Sequence, residues 1–93
     1  MLKILRSVKN ESVILTVVGR IEGESLEELK RLVGSEASGR DLVLDMKDAM
    51  LADQSAIQFL AFREEDGVAL ENCPAYIREW IAAEERRNRR RWP

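Results

Sequence analysis

Residues 41–61 of the chain read DLVLDMKDAMLADQSAIQFLA, and this stretch decides how the sequence around it folds. Its first six residues, 41–46, are rich in Leu, Val and Met, which predicts a buried strand. Residues 47–52 are then predicted to form a connecting loop. Asp53 is a residue type that caps helix N-termini, and the apolar residues after it recur at helical spacing, so a helix is predicted to begin there.

The chain before this stretch predicts two strands and a helix. The apolar residues Leu2, Ile4, Leu5 and Val8 predict a first strand, and the run over residues 13–18 predicts a second, largely buried one. The polar break between them is short, which implies an antiparallel pair. Ser25 and Glu28 match a capping box at the start of a helix with one apolar stripe. Gly34 stands where the C-terminal cap of that helix is expected.

The chain after this stretch completes the pattern. Residues 68–73 predict a fourth strand, and the segment from Pro74 to residue 83 predicts an amphipathic helix. Strands joined through a helix by short connections are parallel. We therefore predict an α/β fold with a single-layer mixed four-stranded sheet in the order β-β-α-β-α-β-α, its last three strands parallel, and three helices. One domain is expected over residues 1–83, and a basic arginine-rich tail, over residues 84–93, either continues the last helix or frays from it.

Composition narrows the class of function. The 93 residues include no histidine and one cysteine, Cys73, which we expect to be a buried, inert thiol. The commonest general base and metal ligand are therefore missing, and a non-enzymatic domain without metal or cofactor is expected. The sequence shows no long apolar run and no signal-peptide pattern, so we expect a cytoplasmic protein without a membrane partner. Residues 1–83 carry ten basic and fifteen acidic side chains, which argues against nucleic acid as the partner of the folded part.

The order and spacing of residues 43–60 resemble the most diagnostic segment of the STAS domains of anti-sigma factor antagonists. In that family a strand ending in a polar or acidic residue is followed, after a short loop, by Asp-Ser-Ser-Gly opening a helix. Asp45 falls on the strand-end position. The four motif positions are occupied by Asp53, Gln54, Ser55 and Ala56. The resemblance extends without an obvious gap over residues 13–81.

The resemblance implies a STAS-like protein-interaction module in bacterial signalling and transcription regulation. Its partner would be an anti-sigma factor, a kinase-like regulator or a scaffold protein. Recognition is expected at residues 53–58, helped by Glu22. The expected partner-binding residues there are Asp53, Gln54, Ser55 and Gln58. In regulatory members of the family the first serine of the motif is phosphorylated, which blocks docking. Gln54 has no hydroxyl, so no switch is expected at that position, and Ser55 is the remaining candidate for phosphorylation.

Several side chains near the motif keep two interpretations. Asp53 acts as a helix cap alone, or as a cap that also contacts the partner. Gln54 and Gln58 share a helical face and are either solvated or the centre of a docking patch. Phe59 and Phe62 lie away from the main apolar stripe of their helix, and we expect them in the core rather than at an interface.

A second class of function stays open: a nucleotide or small-ligand sensing domain that uses aspartates at strand ends. These aspartates are Asp45, Asp48 and Asp53. The arginine tail, which includes Trp92, is a solvated helix end, a contact for an acidic partner or a contact for nucleic acid. Tyr76 and Trp80 are expected in the core. A homodimer is a further possibility.

Overall fold

The computed structural model describes residues 2–36 and 41–90, and its elements follow the predicted order. The strands are β1 (Leu2–Lys9), β2 (Ser12–Ile21), β3 (Asp41–Ala52) and β4 (Ala69–Glu71). The helices are α1 (Glu24–Ser35), α2 (Gln54–Glu65) and α3 (Ala75–Arg90). The strands lie side by side in chain order, with β1 antiparallel to β2 and the other neighbours parallel. The predicted α/β fold, a four-stranded mixed sheet with three helices, is confirmed.

The turn between β1 and β2 consists of Asn10 and Glu11. Their φ angles are 51° and 69°, and the pairing resumes at once between Lys9 and Ser12. Positive φ at both positions of a two-residue turn is typical of the type I′ hairpin, whose twist matches that of the flanking strands. The polar break in the sequence therefore forms a tight antiparallel hairpin.

All three helices pack on the same face of the sheet. Every second residue of β2, and of β3 as far as Met46, points to this face and is buried. Right-handed crossovers place α1 and α2 on the same side, and α3 joins the same core through Ile77 and Ile81. The core residues of the two strands include Val13, Leu15, Val17, Leu44 and Met46. The helices contribute, among others, Leu29, Leu60, Ile77 and Ile81.

The opposite face of the sheet is not covered by any element within residues 2–36 and 41–90. Ile14, Thr16 and Val18 of β2 point there and are half-buried. Leu5, which pairs with Thr16 across the hairpin, is exposed on the same face. The sheet therefore has one covered face and one open face.

The strand β3 is twelve residues long, twice the predicted length. The predicted loop over residues 47–52 is wrong because β2 also continues beyond Gly19, and the two strands go on pairing after two register shifts. The pairs formed by this second half of β3 are Val18 with Asp48, Gly19 with Ala49, Arg20 with Leu51 and Ile21 with Ala52. As a result, the ends of β2 and β3 lie together at the point where α2 begins.

The ends of α1 also differ from the prediction. The predicted capping box at Ser25 is wrong, because Ser25 already lies inside the helix and its N–H donates to the Glu22 carbonyl at 3.1 Å. The N-cap is Gly23, whose φ of 55° makes the turn into the helix. The predicted cap at Gly34 is wrong as well, since the helix runs to Ser35 and its C-cap is Glu36.

The last helix continues into the arginine-rich segment as far as Arg90. Glu84, the first residue of the expected tail, is only 6% exposed and packs against the domain. Residues 91–93, with Trp92, lie outside the described residues. Within the described part of the chain, no helix has both the length and the apolar character needed to span a bilayer.

Candidate functional site

The start of α2 is held by Asp53. Its Oδ1 accepts a hydrogen bond from the backbone N–H of Ala56 at 2.9 Å, so the predicted helix cap is confirmed. The backbone N–H of Asp53 donates to the carbonyl of Ile21 at 3.2 Å, which ties this end of the helix to the end of β2. Asp53 is therefore held by one hydrogen bond to α2 and by another to the end of β2. A contact between Asp53 and a partner stays a prediction.

The other residues predicted to bind a partner surround this cap. Glu22 is half-buried and directly follows Ile21, so the bond from Asp53 brings its backbone beside the start of α2. Three polar side chains on the first turns of α2 are exposed: Gln54, Ser55 and Gln58. The Ser55 hydroxyl is thus accessible, as a phosphorylation site requires, and its modification stays a prediction.

Two aromatic residues of α3 lie on the surface. The expectation that Tyr76 and Trp80 belong to the core is wrong, because they are 41% and 53% exposed. The buried stripe of the helix consists of Ile77, Ile81 and Glu84 instead. The two rings make an edge-to-face contact with centroids 6.2 Å apart. Tyr and Trp carry a polar group that tolerates water and are common at interfaces, which is the sequence signal for an exposed position.

Tyr76 is hydrogen-bonded to the second half of β3, which the sequence had predicted to be a loop. The Tyr76 hydroxyl donates a hydrogen bond to the backbone carbonyl of Met50. Met50 is itself 66% exposed. The sequence did not predict that Met50 and Tyr76 would meet at the surface, because the segment around Met50 was expected to be a loop and the aromatic stripe of α3 was expected in the core.

A groove of about 410 Å³ lies between the start of α2 and the second half of α3. We call it the α2–α3 groove. Its lining residues are Gln54, Ile57, Trp80, Ala83, Glu84 and Arg87. One of the predicted partner-binding residues, Gln54, therefore belongs to the same concave surface as the exposed indole of Trp80.

The charged residues of the groove belong to the end of α3. The buried carboxylate of Glu84 lies 3.4 Å from the exposed guanidinium of Arg87. Arg86 and Arg89 are exposed on the same helical end. On the opposite side, residues 54–57 begin α2 without any carboxylate, and the Asp53 cap interacts with the partial positive charge of the helix N-terminus.

A second charged cluster joins α2 to α3 away from the groove. Arg78 donates to both carboxylate oxygens of Glu64, and its guanidinium is 3.6 Å from Glu85. Hydrogen bonding to Arg78 lowers the pKa of Glu64. Burial, together with a hydrogen bond and the charge of Glu64, raises the pKa of Glu85 to about 7. Burial also raises the pKa of the half-buried Cys73 thiol, which disfavours the reactive thiolate.

The predicted strand-end aspartates do not converge. Asp45 lies inside β3, where it accepts hydrogen bonds from the Asn72 side chain at 3.2 Å and the Lys47 N–H at 3.1 Å. Its placement at a strand end, and that of Asp48, is wrong because β3 continues to Ala52. At a rise of about 3.3 Å per residue, Asp45 is more than about 20 Å from Asp53. No cluster of potential metal ligands occurs within residues 2–36 and 41–90.

The two phenylalanines of α2 have different environments. Phe59 is half-buried against the core, and the cationic groups of Lys30 and Arg63 lie 6.0 and 5.7 Å from its ring centroid. Phe62 is 64% exposed, so its expected place in the core is wrong. Of the two phenylalanines outside the main apolar stripe of α2, only Phe59 packs against the core.

No model of a known protein family matches the chain. No curated protein matches it either. The likeness of residues 43–60 to the STAS segment stays an expectation from the sequence, and the α2–α3 groove is the feature on which a functional proposal can be built.

Proposed function

We propose that the chain is a non-enzymatic protein-interaction module that docks a regulatory protein through the α2–α3 groove and the exposed start of α2. The observation that carries this proposal is Trp80, a large aromatic side chain that is 53% exposed at an apolar concave surface. Aromatic anchors next to apolar pockets supply much of the binding energy at protein interfaces. Ile57 and Ala83 provide the apolar lining around it.

The resemblance of residues 43–60 to STAS domains supports the same surface. The resemblance implies that a partner is recognised at the start of the helix. In this chain Gln54, at the start of α2, lines the groove. The proposed partner is an anti-sigma factor, a kinase-like regulator or a scaffold protein in the bacterial cytoplasm. Gln54 offers amide hydrogen bonds without the desolvation penalty of a charge, which suits a position at the centre of an interface.

Regulation at this surface would run through Ser55 rather than Gln54. A phosphate on Ser55 would interact favourably with the free amides at the N-terminus of α2. The carboxylate of Asp53, two residues earlier and already bonded to Ala56, would oppose it. We therefore propose docking that needs no phosphate switch at position 54, with Ser55 as the accessible hydroxyl through which a kinase could act.

Affinity capture from a lysate of the source organism tests the proposal. The double variant Trp80→Ala, Gln54→Arg is compared with the wild type and with Phe62→Ala, which removes an exposed aromatic ring of α2 that does not line the groove. We expect a protein that the wild type and Phe62→Ala retain and the double variant loses, while circular dichroism shows all three folded. Equal retention by all three proteins would place docking elsewhere and overturn the proposal.

A second candidate, small-ligand sensing, is favoured by the volume of the groove alone. About 410 Å³ falls within the usual range for small-molecule sites, roughly 300 to 1,000 Å³. A ligand would bind in the groove and not at the dispersed aspartates. Thermal-shift measurements with nucleotides, with and without magnesium, test this candidate, and the absence of any shift would contradict it.

A further inference from the structure

The α2–α3 groove combines an apolar wall with a rim whose exposed charge is positive, because Arg87 is exposed and the other charged lining residue, Glu84, is buried. Ile57, Trp80 and Ala83 form the apolar part. Arg87 lines the groove, and Arg86, the preceding residue on α3, is exposed. This arrangement selects a ligand that brings apolar side chains for the wall and carboxylates for the rim.

The opposing charges near the groove are already engaged. Glu84 is buried and lies 3.4 Å from Arg87, and the Asp53 carboxylate accepts a hydrogen bond from Ala56. From Glu84 to Arg89 the helix carries three exposed arginines, Arg86, Arg87 and Arg89, against the buried Glu84 and the half-buried Glu85, which lies 3.6 Å from Arg78. Positive charge therefore remains exposed to a partner. Residues 1–83, by contrast, are acidic overall.

We propose, on the basis of the docking function above, that the occupant of the groove is an acidic amphipathic segment of the partner protein. Its apolar side chains pack on Trp80 and Ile57, and its carboxylates face Arg87 and Arg86. A nucleic acid could also stack a base on Trp80, but it has no apolar side chains to cover Ile57 and Ala83 beside the ring. The apolar wall therefore favours a protein segment.

Fluorescence titration with designed peptides tests this inference. The variant Trp92→Phe leaves Trp80 as the only tryptophan, because the chain contains two. The probe is a short amphipathic helical peptide with Leu on one face and Glu on the other. Its matched controls carry Gln or Lys in place of every Glu. We expect a blue shift of Trp80 emission with the Glu peptide, affinity about tenfold tighter than for the Gln peptide at low salt, and a smaller difference at high salt.

Charge-reversal variants locate the interaction. Arg87→Glu should abolish the preference for the Glu peptide and improve binding of the Lys peptide. The variant Arg87→Glu also removes the positive charge that neutralises the buried Glu84, which can destabilise the fold. Arg86→Glu is therefore the second variant, because Arg86 is exposed and its replacement leaves the Arg87–Glu84 pair in place. Arg31→Glu, an equal change of net charge on α1 outside the groove, should leave the preference unchanged.

The outcomes separate this inference from the docking function. Equal binding of the Glu and Gln peptides, or insensitivity to both arginine variants, would overturn the acidic partner but leave docking at Trp80 intact. The acidic partner would also be overturned, and docking left intact, if no peptide changed Trp80 emission while the double variant Trp80→Ala, Gln54→Arg still lost the captured protein. A single-stranded oligonucleotide that binds more tightly than the Glu peptide would overturn the inference in favour of nucleic acid. If no peptide bound and affinity capture also showed equal retention by all three proteins, the docking function would be overturned as well.

Discussion

The guanidinium of Arg78 on α3 donates two hydrogen bonds to the Glu64 carboxylate on α2, at 2.7 and 2.5 Å. Such a pair of parallel charge-assisted bonds fixes orientation as well as distance. Arg78 lies in the first turn of α3, and Glu64 lies in the last turn of α2. The pair therefore helps to set how the two helices pack, and with it the shape of the groove between them.

Loss of this pair should destabilise the fold. Arg78→Met removes both bonds and leaves Glu64 half-buried without this partner, so the free energy of unfolding should fall by about 1 to 2 kcal/mol. Urea denaturation measures it, and the double variant Glu64→Gln, Arg78→Met should recover part of the loss. Glu27→Gln is the control, because the 3.4 Å contact of Glu27 with Lys30 is exposed and should contribute less than about 0.5 kcal/mol. Equal losses in the two single variants would contradict the prediction.

Stability should also depend on the protonation of Glu85. The groups that face it are Glu64 and Glu65 on α2 and Arg78 on α3, and the pKa of Glu85 is raised to about 7. A folded-state pKa above the unfolded value means that the folded protein binds the proton more tightly. This stabilisation is complete below the ordinary glutamate pKa and is lost as the pH rises through about 7. The pKa of Glu64 is lowered, so its own titration lies on the acid side of this range.

Glu85→Gln, which stays uncharged, tests this dependence. Between about pH 5 and pH 8 the wild type should lose stability relative to the variant, with a difference on the order of 1 kcal/mol at the upper end. Chemical denaturation at a series of pH values measures the difference. Glu79→Gln is a matched control on an exposed part of α3, and its profile should run parallel to that of the wild type. Parallel profiles for Glu85→Gln too would show that the folded-state pKa is not raised.

The element order could be predicted because each part depends on a short stretch of sequence. The polar break at Asn10 and Glu11 allows a tight hairpin, and short connections through a helix require parallel neighbours. The cap at Asp53 follows from the side chain alone, since its oxygen reaches an N–H three residues later. These features need no knowledge of distant residues.

The second half of β3 and the exposed stripe of α3 could not be predicted in the same way. Residues 47–52 form a strand because β2 continues alongside them after two register shifts, which is a relationship between distant segments. On α3, Tyr76 and Trp80 have large apolar rings beside the neighbouring stripe of Ile77 and Ile81, and their polar groups are the one sequence signal that separates the two stripes. The groove itself depends on how α2 and α3 pack, which only the structure provides.

The phenylalanines of α2 provide a matched comparison. Phe59→Ala should lower the free energy of unfolding by about 2 kcal/mol, because this ring packs against the core beneath Lys30 and Arg63. Phe62→Ala removes the same atoms from an exposed position and should change stability by less than about 0.5 kcal/mol. Thermal or urea unfolding of both variants measures the difference. A similar loss in both would mean that Phe62 is buried in solution, for example by a second copy of the chain.

Two glycines of α1 should respond to alanine in opposite directions. Gly23 has a φ of 55° and a ψ of −128° at the N-cap, a conformation that costs a residue with a side chain about 1 to 3 kcal/mol, so Gly23→Ala should destabilise the protein. Gly34 lies within the last turn of the helix, and an added methyl group would meet no atom within 4 Å. Gly34→Ala should therefore stabilise the protein by up to about 1 kcal/mol through the higher helix propensity of alanine. If Gly34 instead formed a left-handed C-terminal cap, as its sequence position first indicated, the same substitution would destabilise the protein. The sign of the change in urea-unfolding free energy for Gly34→Ala thus decides where α1 ends.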